Sequence, residues 1–399
     1  MTGNVYDQID SLKEEMVATL TKMISIPAIS PESGGTGEEK RANFLEGLLK
    51  GMGLKVKRYT YKDGSGAARP NLIATYGNSK KTIWILSHMD TVSEGDRSLW
   101  NHNPFDAQVK DGKIFGRGTS DNGQGVISSI YALKALIRSK ASIKYKFGVA
   151  LVADEEVGSK YGAKALVREK IFDSSDMIVV PDGGNSKGDA IEIAEKGILW
   201  LKFDVEGKQV HASTPNKGLN AYRIAIKMLS EIDEALHKRY PATDKLFYPH
   251  TSTFEMTKRE KNVDSVNIIP GSDVSYMDCR VLPRYSLDTI INYVKRISER
   301  YSTGGAQVKV DVYNREDSTK PTSPKSEIAK LLARSIRAVK GVNPKFVGVG
   351  GGTVAKYFRD LGMPAVVWAT LPDNAHQPNE YLIIDDMVSD TKVFASLFI

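Results

Sequence analysis

The sequence contains very little cysteine and histidine. Cys279 is the single cysteine among 399 residues, so the chain can form no intrachain disulfide and no zinc site built from two or four thiolates. Because disulfides accumulate in oxidising compartments, we expect a protein of the reducing cytoplasm. The six histidines are His88, His102, His211, His237, His250 and His376.

Long apolar runs and concentrated charge are also missing. The longest strongly apolar stretches, 83–86 and 364–371, are far shorter than the roughly 20 residues that cross a bilayer. The first 21 residues carry acids among their apolar positions, unlike a signal peptide. The chain has 55 lysines and arginines against 48 acids, a net charge of +7, but its basic stretches are short and interrupted. We therefore expect neither a membrane partner nor a nucleic-acid partner.

The composition is that of a globular protein, and the length suggests more than one domain. Hydrophobic residues make up 41% of the chain and charged residues 26%, close to the average of soluble globular proteins. At roughly 150 residues per domain, a chain of this length predicts two to three domains. Such a chain is long enough to bury a sizeable core.

The first half of the chain alternates predicted strands with predicted helices. Apolar residues at three- and four-residue spacing predict helices over 5–24, 38–52 and 126–137. Short stretches rich in Val, Ile and aromatic residues predict strands over 55–61, 71–76, 82–86, 145–153 and 177–180. This alternation favours an α/β fold with a mixed, mostly parallel sheet sandwiched by helices.

From about residue 197 the pattern changes. The predicted elements are then a strand at 198–205, a helix at 220–236, strands at 251–256 and 273–281, a helix at 287–301 and a strand at 306–313. This is the order of a ferredoxin-like α+β domain. The first pattern returns with a helix at 327–340 and strands at 345–349 and 365–369. We therefore predict a discontinuous main domain, residues 1–196 and 314–399, interrupted by a smaller domain at 197–313.

Five loops, each after a predicted strand or before a predicted helix, present a histidine or an acid. They carry His88 with Asp90, Asp121 in a glycine-rich turn, Glu155 with Glu156, Asp182, and His376. Enzymes with α/β folds place their sites at the carboxyl ends of strands. Two histidines with three carboxylates form the mixed nitrogen and oxygen ligand set of zinc or cobalt, and a shared aspartate suits two metals.

Each motif also has a structural explanation when taken alone. His88 and Asp90 fit a satisfied pair at a strand end, Asp121 fits a helix N-cap, and an acidic run fits a solvated turn. The glycine-rich turn lacks the spacing of a P-loop or a dinucleotide fold, which argues against phosphate binding.

Backbone geometry suggests a division of labour within two of the motifs. On a strand, residues two apart share a face, so Asp90 can accept a hydrogen bond from one nitrogen of His88 while the other nitrogen binds a metal. On an extended backbone, Glu155 and Glu156 would point in opposite directions. One of them could then bind metal while the other moves protons.

In order, spacing and insertion, these motifs resemble the cocatalytic zinc hydrolases, the family of acetylornithine deacetylase, succinyl-diaminopimelate desuccinylase, aminoacylase and glutamate carboxypeptidase. The resemblance covers essentially the whole chain, and residues 197–313 match the family's lid and dimerisation domain. It implies two divalent metal ions, zinc first, with cobalt or manganese as alternatives. It also implies a homodimer formed through the lid.

The resemblance assigns the metal-site residues. His88 and Asp182 would bind one metal, Glu156 and His376 the other, and Asp121 would bridge the two. The family pattern further implies a cis peptide bond after Asp121. The family usually continues Asp-Met-Lys-Gly at this point, whereas this chain has Asp-Asn-Gly-Gln-Gly.

The resemblance also assigns catalytic and substrate-binding residues. Glu155 would be the general base, Asp90 would orient His88, and His211 would reach a partner subunit's site and stabilise the oxyanion. The substrate-binding residues would be Asn267, Arg280, Gly351, Gly352 and Thr353.

The implied reaction is hydrolysis of the amide bond of an N-acyl amino acid by metal-activated water, of the deacetylase or desuccinylase type. A dipeptidase or carboxypeptidase of the same family is the alternative, because the catalytic core is shared and specificity resides in lid and loop residues. A non-catalytic member that senses an amino-acid derivative is a third possibility. The presence of Glu155 and of the full ligand set argues against it.

Overall fold

The computed structural model describes residues 2–399. Within them the ten α-helices are α1 (Thr2–Ser11), α2 (Lys13–Ile24), α3 (Glu39–Gly51), α4 (Gln124–Arg138), α5 (Ala163–Arg168), α6 (Ala221–Arg239), α7 (Leu287–Glu299), α8 (Glu327–Lys340), α9 (Ala355–Asp360) and α10 (Ile384–Ser396). None of these helices combines the length and the hydropathy that a membrane span requires.

The same residues form seventeen strands. They are β1 (Val56–Lys62), β2 (Ala68–Tyr76), β3 (Thr82–His88), β4 (Gln108–Lys110), β5 (Lys113–Phe115), β6 (Lys146–Val152), β7 (Met177–Asn185), β8 (Ala190–Glu195), β9 (Gly197–Glu206), β10 (Val210–His211), β11 (Thr253–Arg259), β12 (Ile268–Ile269), β13 (Ser272–Val281), β14 (Gln307–Glu316), β15 (Lys345–Val349), β16 (Ala365–Thr370) and β17 (Tyr381–Ile383).

The chain divides into two compact units. The first contains the residues through Ile193 together with Pro321–Val347 and Thr353–Ile399, and the second contains Ala194–Lys320 and Gly348–Gly352. The short segment Gly348–Gly352 belongs to the second unit although it lies far from it in sequence. The assignment of residues 197–313 to a lid and dimerisation domain stays a prediction.

An eight-stranded mixed sheet forms the centre of the first unit, in the order β1-β2-β6-β3-β7-β16-β8-β15. The four middle strands, β6, β3, β7 and β16, run parallel to one another. Antiparallel strands flank them, β2 beside β6 and β8 beside β16. The carboxyl ends of the four parallel strands therefore lie along one edge of the sheet.

Helices cover both faces of this sheet, as the α/β pattern predicts. On one face, Trp84 and Leu86 of β3 pack into a core with Leu166 of α5 and Phe358 of α9. Helix α4 also contacts β3, together with β6 and β7, and it packs on α10. Most residues of α4 are buried, because neighbours surround the helix on several sides.

The second unit is a four-stranded antiparallel sheet in the order β11-β13-β9-β14. This strand order, with α6 and α7 as its helices, is the ferredoxin-like arrangement that the sequence predicts. Strand β9 alternates buried and more exposed positions, as expected when one face packs on helices. Cys279 lies buried in this core, and burial raises the pKa of its thiol above the ordinary range.

One prediction about the elements was wrong. The helix predicted over 5–24 is two helices, α1 and α2, because the N–H of Leu12 bonds to the carbonyl of Ile9 three residues back. That shorter bond tightens the turn and interrupts the α-helical pattern. The small sheet of β4, β5 and β17 was not predicted, since strands of three residues carry too little pattern to recognise.

Candidate active site

Histidines and acids meet at the carboxyl edge of the parallel strands. They lie at or just beyond the ends of neighbouring strands, so the loops that carry them converge. These residues are His88 at the end of β3, Glu155 and Glu156 after β6, Asp182 in the last part of β7, and His376 after β16. The convergence is what the sequence motifs predict.

Two groups of possible ligand atoms share Asp121. His88, Asp121 and Asp182 each offer one atom within 4.8 Å of the others, and so do Asp121, Glu156 and His376. Nε2 of His88 is 2.9 Å from Oδ1 of Asp121, and Nε2 of His376 is 3.0 Å from Oδ2 of Asp121. The two oxygens of one carboxylate therefore face two different histidines.

Asp121 is presented by a turn of unusual backbone geometry immediately before α4. Its peptide bond to Asn122 is cis, as the family resemblance implied. Gly118 has a positive φ of 83°, and a Cβ at this position would lie 2.5 Å from a methyl group of Thr91. Only glycine fits this turn without strain.

Burial and like charge shape the acids of this cluster. Burial raises the pKa of Glu156 to about 7, and the negative charge of Asp121 adds to the effect. Burial also raises the pKa of Glu155 well above its ordinary value, with the charge of Asp182 as the next cause. Burial alone would raise the pKa of Asp121, but hydrogen bonds from His376 and His88 outweigh it and hold that pKa below its usual range.

The pKa values of the two histidines are also raised, but here the neighbouring carboxylates are the cause and burial opposes them. Hydrogen bonds to Asp121 and Glu156 raise the pKa of His376 to about 10. Burial would lower the pKa of His88, but the nearby carboxylates, Asp182 first, raise it well above its ordinary value. Positive charge is thus strongly favoured at both imidazole positions, which is the electrostatic environment that a bound cation would also find.

The donor set fits a pair of divalent cations. Imidazole nitrogen and carboxylate oxygen are the ligands of zinc, cobalt and manganese in proteins. Within residues 2–399, Oε1 of Glu156 is buried and has no hydrogen-bond partner. A buried carboxylate oxygen without a donor is costly, and a cation at this place would satisfy it.

Asp90 connects His88 to the turn that bears the two glutamates. The carboxylate of Asp90 accepts the backbone N–H of Glu155 at 3.1 Å and that of Glu156 at 3.0 Å. Nδ1 of His88 lies 3.0 Å from the backbone carbonyl of Asp90 and 3.5 Å from its carboxylate. A carbonyl only accepts, so Nδ1 carries a proton, and loss of the proton on Nε2 would leave that nitrogen with its lone pair facing the cluster.

The backbone around the two glutamates differs from the extended form that the sequence suggested. Glu155 and Glu156 lie in a turn, in which the N–H of Gly158 bonds to the carbonyl of Glu155 at 3.0 Å. The turn forms because Asp154 adopts a positive φ of 66° immediately after the strand. The two side chains still have different neighbours, since Oε2 of Glu156 is 3.1 Å from Nε2 of His376.

A buried network of charged residues, Arg69, Glu38 and Asp154, stabilises the turn that carries Glu155 and Glu156. Arg69 of β2 binds Glu38 with two hydrogen bonds, of 2.7 and 3.0 Å, and its Nη2 is 3.0 Å from the carboxylate of Asp154. Glu38 also accepts the backbone N–H of Asp154 at 3.2 Å. Sequence reasoning missed these residues, because nothing near Arg69 in sequence indicates its partners.

Glu380 performs a similar function for Asp121. Its buried carboxylate accepts the backbone N–H groups of Gly118, Ser120 and Asp121 at 2.9 to 3.1 Å. It also pairs with Arg117 at 2.8 Å, and the same guanidinium donates to the carbonyl of His376 at 3.2 Å. One ion pair therefore holds the loops of two possible ligands. An acid four residues after His376 was the available signal for this role.

In the second unit, His211 and Asn267 lie side by side. His211 pairs with Ile268 in the ribbon of β10 and β12, and the N–H of Ala212 bonds to the carbonyl of Asn267 at 2.8 Å. The backbone N–H of Ser213 donates to Nδ1 of His211 at 3.1 Å. The neutral ring therefore carries its proton on Nε2, which is exposed as a donor.

Arg280 is held from within the second unit. It binds Asp278 with two hydrogen bonds, of 2.7 and 3.0 Å, and donates to the carbonyl of Gly350 at 2.9 Å. Gly350 lies next to the exposed Gly351 and Gly352, which belong to the same unit. Thr353 belongs to the first unit, where its hydroxyl accepts the N–H of Ala355 at the start of α9.

Residues 84–399 match the model of peptidase family M20/M25/M40, a stretch that contains every residue of both ligand groups. The chain belongs to this family. It is therefore a metal-dependent hydrolase of amide bonds, which confirms the enzyme class and the family that the motifs indicated.

Two relatives resemble the chain over nearly its whole length. An uncharacterized metallohydrolase of Methanocaldococcus jannaschii is 36% identical over 405 residues, covering 96% of this chain and 98% of the relative. A succinyl-diaminopimelate desuccinylase of Rickettsia felis is 29% identical over 374 residues, and the match covers 92% of this chain and 95% of the desuccinylase.

The solved structures of two peptidases show the same fold. A metallo-carboxypeptidase of Sulfolobus solfataricus superimposes with a TM-score of 0.76 at 22% identity, covering 96% of this chain and 98% of that one. Human carnosine dipeptidase 1 gives a TM-score of 0.77 at 19% identity, and the match covers 99% of this chain and 98% of the dipeptidase. At these identities the likeness concerns the fold, and it confirms the predicted fold class.

Proposed function

We propose that this M20 hydrolase removes the acyl group from N-acyl amino acids with the help of two divalent metal ions. The observation that carries the proposal is Asp121, one of whose carboxylate oxygens lies next to His88 and the other next to His376. A carboxylate in that position suits a bridge between two cations. Zinc is the first choice of metal, with cobalt or manganese as alternatives.

Five side chains of this site would hold the metals. His88 and Asp182 would bind one cation, Glu156 and His376 the other, and Asp121 both. Bound divalent cations lower the pKa of coordinated water and polarise a carbonyl oxygen. The grouping of possible ligand atoms into two sets that share Asp121 supports this assignment.

Glu155 would move the proton of the reaction. Its carboxylate would take a proton from the attacking water and return it to the nitrogen of the departing amine. Burial already raises its pKa well above that of an ordinary glutamate, which brings the group closer to the pH range where a general base works best. Asp90 would hold Glu155 in place through the backbone of the turn.

His211 would stabilise the oxyanion of the tetrahedral intermediate in the site of a partner subunit. The proposal rests on its resemblance to a lid histidine and on its exposed Nε2 donor, which the hydrogen bond from Ser213 leaves protonated. This role requires a homodimer, formed through the second unit, and Asn267 would contact the substrate beside it.

Arg280 would bind the carboxylate of the substrate. A guanidinium has five N–H donors, and Asp278 and Gly350 engage three of them. Two donors remain, enough for a second bidentate contact with a carboxylate. Gly351, Gly352 and Thr353 would also contact the substrate, as the family resemblance implies.

A dipeptidase or carboxypeptidase activity is the alternative. The desuccinylases among the relatives favour deacylation, whereas the dipeptidase and carboxypeptidase structures share the fold. The single cysteine, buried in the second unit, agrees with a reducing location, so the proposed substrates are metabolites of the cytoplasm.

A hydrolysis panel separates these possibilities. The chelator-treated protein is incubated with zinc, cobalt or manganese and with acetyl-, succinyl- and benzoyl-amino acids and dipeptides. Release of amino acid from the acylated substrates, at a kcat/KM at least tenfold above that for dipeptides, is the expected result. Preferential cleavage of dipeptides would replace the proposal with the alternative. If fully metallated wild type and Glu155→Ala were equally inactive on all substrates while binding them, the protein would be a sensor.

A further inference from the structure

Asn122 contacts the segment that carries Asp182. Its side-chain nitrogen Nδ2 lies 2.6 Å from the carbonyl oxygen of Pro181 and 3.0 Å from Oδ1 of Asp182. Asn122 itself is 1% exposed. A buried amide thus makes two hydrogen bonds to adjacent residues in the last part of β7, about 60 positions further along the chain.

The chemistry of the two partners fixes the orientation of this amide. A peptide carbonyl and a carboxylate both accept hydrogen bonds, so only the NH2 end of the side chain can face them. The opposite orientation would place three acceptor oxygens together in a buried space, which is unfavourable because none of them would have a donor from this amide. Both hydrogens of Nδ2 are therefore used, one for each partner.

The other end of the amide supports the same interpretation. Oδ1 of Asn122 is buried and has no hydrogen-bond partner in the part of the chain that the structure describes. It lies where a Cβ at Gly125 would approach to 2.7 Å, so the glycine leaves room for it. An asparagine that leaves its oxygen unpaired is retained at a cost, which its two Nδ2 hydrogen bonds help to offset.

We infer that Asn122 is a positioning residue that orients the carboxylate of Asp182 toward His88 and Asp121. The inference rests on the proposed function, in which Asp182 is a metal ligand. The amide donates one charge-assisted hydrogen bond and adds no charge to a cluster already rich in acids. Oδ1 of Asp182 lies 3.5 Å from Nε2 of His88, so a rotated carboxylate would leave the first ligand group incomplete.

This assignment distinguishes the two ligand groups. The side-chain hydrogen bonds of Asn122 reach Asp182 of the first group and the carbonyl of Pro181, and not Glu156 or His376 of the second group. Residues that orient a ligand typically change metal affinity 10- to 100-fold when they are replaced. Loss of the amide should therefore weaken one metal position selectively, whereas a general loss of packing would weaken both.

Cadmium-113 NMR of the full-length protein tests the inference, because each bound cation gives its own resonance. The chelator-treated wild type, Asn122→Ala and Asn122→Ser are titrated with ¹¹³Cd²⁺ in the presence of a competing chelator. The variant His376→Ala identifies the resonance of the second group by removing one of its ligands. Gln124→Met is the matched control, since Gln124 is a buried amide of the same segment that bonds instead to Thr370 and Asp390.

In Asn122→Ala we expect a 10- to 100-fold weaker affinity for the cation of the first group and less than a threefold change for the second. Asn122→Ser keeps a hydroxyl donor and should lie between Asn122→Ala and wild type. Gln124→Met should show no selective loss in the first group. If both resonances of Asn122→Ala titrate as in wild type, or weaken equally, the inference is wrong.

Two further outcomes are distinguishable from these. If Asn122→Ala does not fold, Asn122→Ser decides alone: selective weakening of the first resonance supports the inference, and equal or absent weakening overturns it. If wild type itself gives no ¹¹³Cd resonance, the proposed metal site fails, and the positioning role of Asn122 fails with it.

Discussion

The carboxylate of Asp90 accepts two backbone hydrogen bonds, one from the N–H of Glu155 at 3.1 Å and one from the N–H of Glu156 at 3.0 Å. One buried side chain thereby fixes the turn that presents both glutamates. The same residue supplies the carbonyl that orients His88. The position of the proposed general base therefore depends on a residue 65 positions earlier in the chain.

Replacing Asp90 with Asn should reduce catalysis more than stability. The amide can accept through only one atom, so one N–H of the turn loses its acceptor and Glu155 is less well placed. We expect kcat on the preferred acyl-amino acid to fall about 10- to 100-fold, as for other residues that orient a metal site. Asp96→Asn is the control, because Asp96 also caps a backbone N–H, that of Ser98, at an exposed position. An unchanged kcat in Asp90→Asn would contradict this role.

Glu155→Gln tests the proton transfer directly. The substitution keeps the size of the side chain and removes its ability to accept a proton, so kcat should fall about 10²- to 10⁴-fold. Metal content, measured by elemental analysis, should stay at the wild-type value because the proposed ligands are intact. A variant that retains more than a tenth of the wild-type kcat would exclude Glu155 as the general base.

Metal loading should release protons and depend on pH. Hydrogen bonds to Asp121 and Glu156 raise the pKa of His376 to about 10 in the metal-free protein, so this imidazole is protonated at pH 8. Because the proton must leave before the nitrogen can bind a cation, affinity should rise with pH, by about tenfold per unit for one proton, until pH 10.

Calorimetric titration of the chelator-treated protein with zinc, in buffers of different ionisation enthalpy, counts these protons. We expect at least one proton released per protein at pH 8 and fewer in His376→Ala. His211→Ala is the control, because His211 is exposed and belongs to neither ligand group. Zinc binding without proton release would contradict the assignment of His376.

Arg69 should matter for stability. Its removal in Arg69→Met leaves the buried carboxylates of Glu38 and Asp154 without their cation, which costs about 3 to 5 kcal/mol of unfolding free energy when a buried pair is broken. Arg315→Met is the control, since Arg315 pairs with acids in partly exposed positions and should change stability by less than about 1 kcal/mol.

Denaturant unfolding of the wild type and the two variants measures this difference. The double variant Arg69→Met with Glu38→Gln should recover part of the loss, because one of the unpaired charges is removed with its partner. Equal stability of Arg69→Met and Arg315→Met would show that the buried network contributes no more than a surface ion pair.

Local pattern in the sequence predicted most of the fold. Strands such as β3 and β6 are continuous apolar runs, and the apolar stripe of α4 repeats at helical spacing, so neighbouring residues alone indicate them. The ferredoxin-like order of the second unit followed from the order of its elements. The break at Leu12 and the three-residue strands β4, β5 and β17 escaped, because they depend on single hydrogen bonds or on partners elsewhere in the chain. The helices α5, α9 and α10 and the strands β8, β10 and β12 were not predicted either.

The candidate site divides in the same way. The sequence by itself determined which residues could take part, because His88, Asp121, Asp182 and His376 stand in loops at the ends of predicted strands or before a predicted helix. Only the tertiary structure decided how they are arranged. In it Asp121 faces two histidines and Asn122 reaches Asp182. Glu380 binds the backbone of the Asp121 turn, and Arg69 binds Asp154 beside the two glutamates. These contacts join residues about 30 to 260 positions apart, and hydrogen-bond geometry at that range is set by the packing of the sheet, which a local pattern does not record.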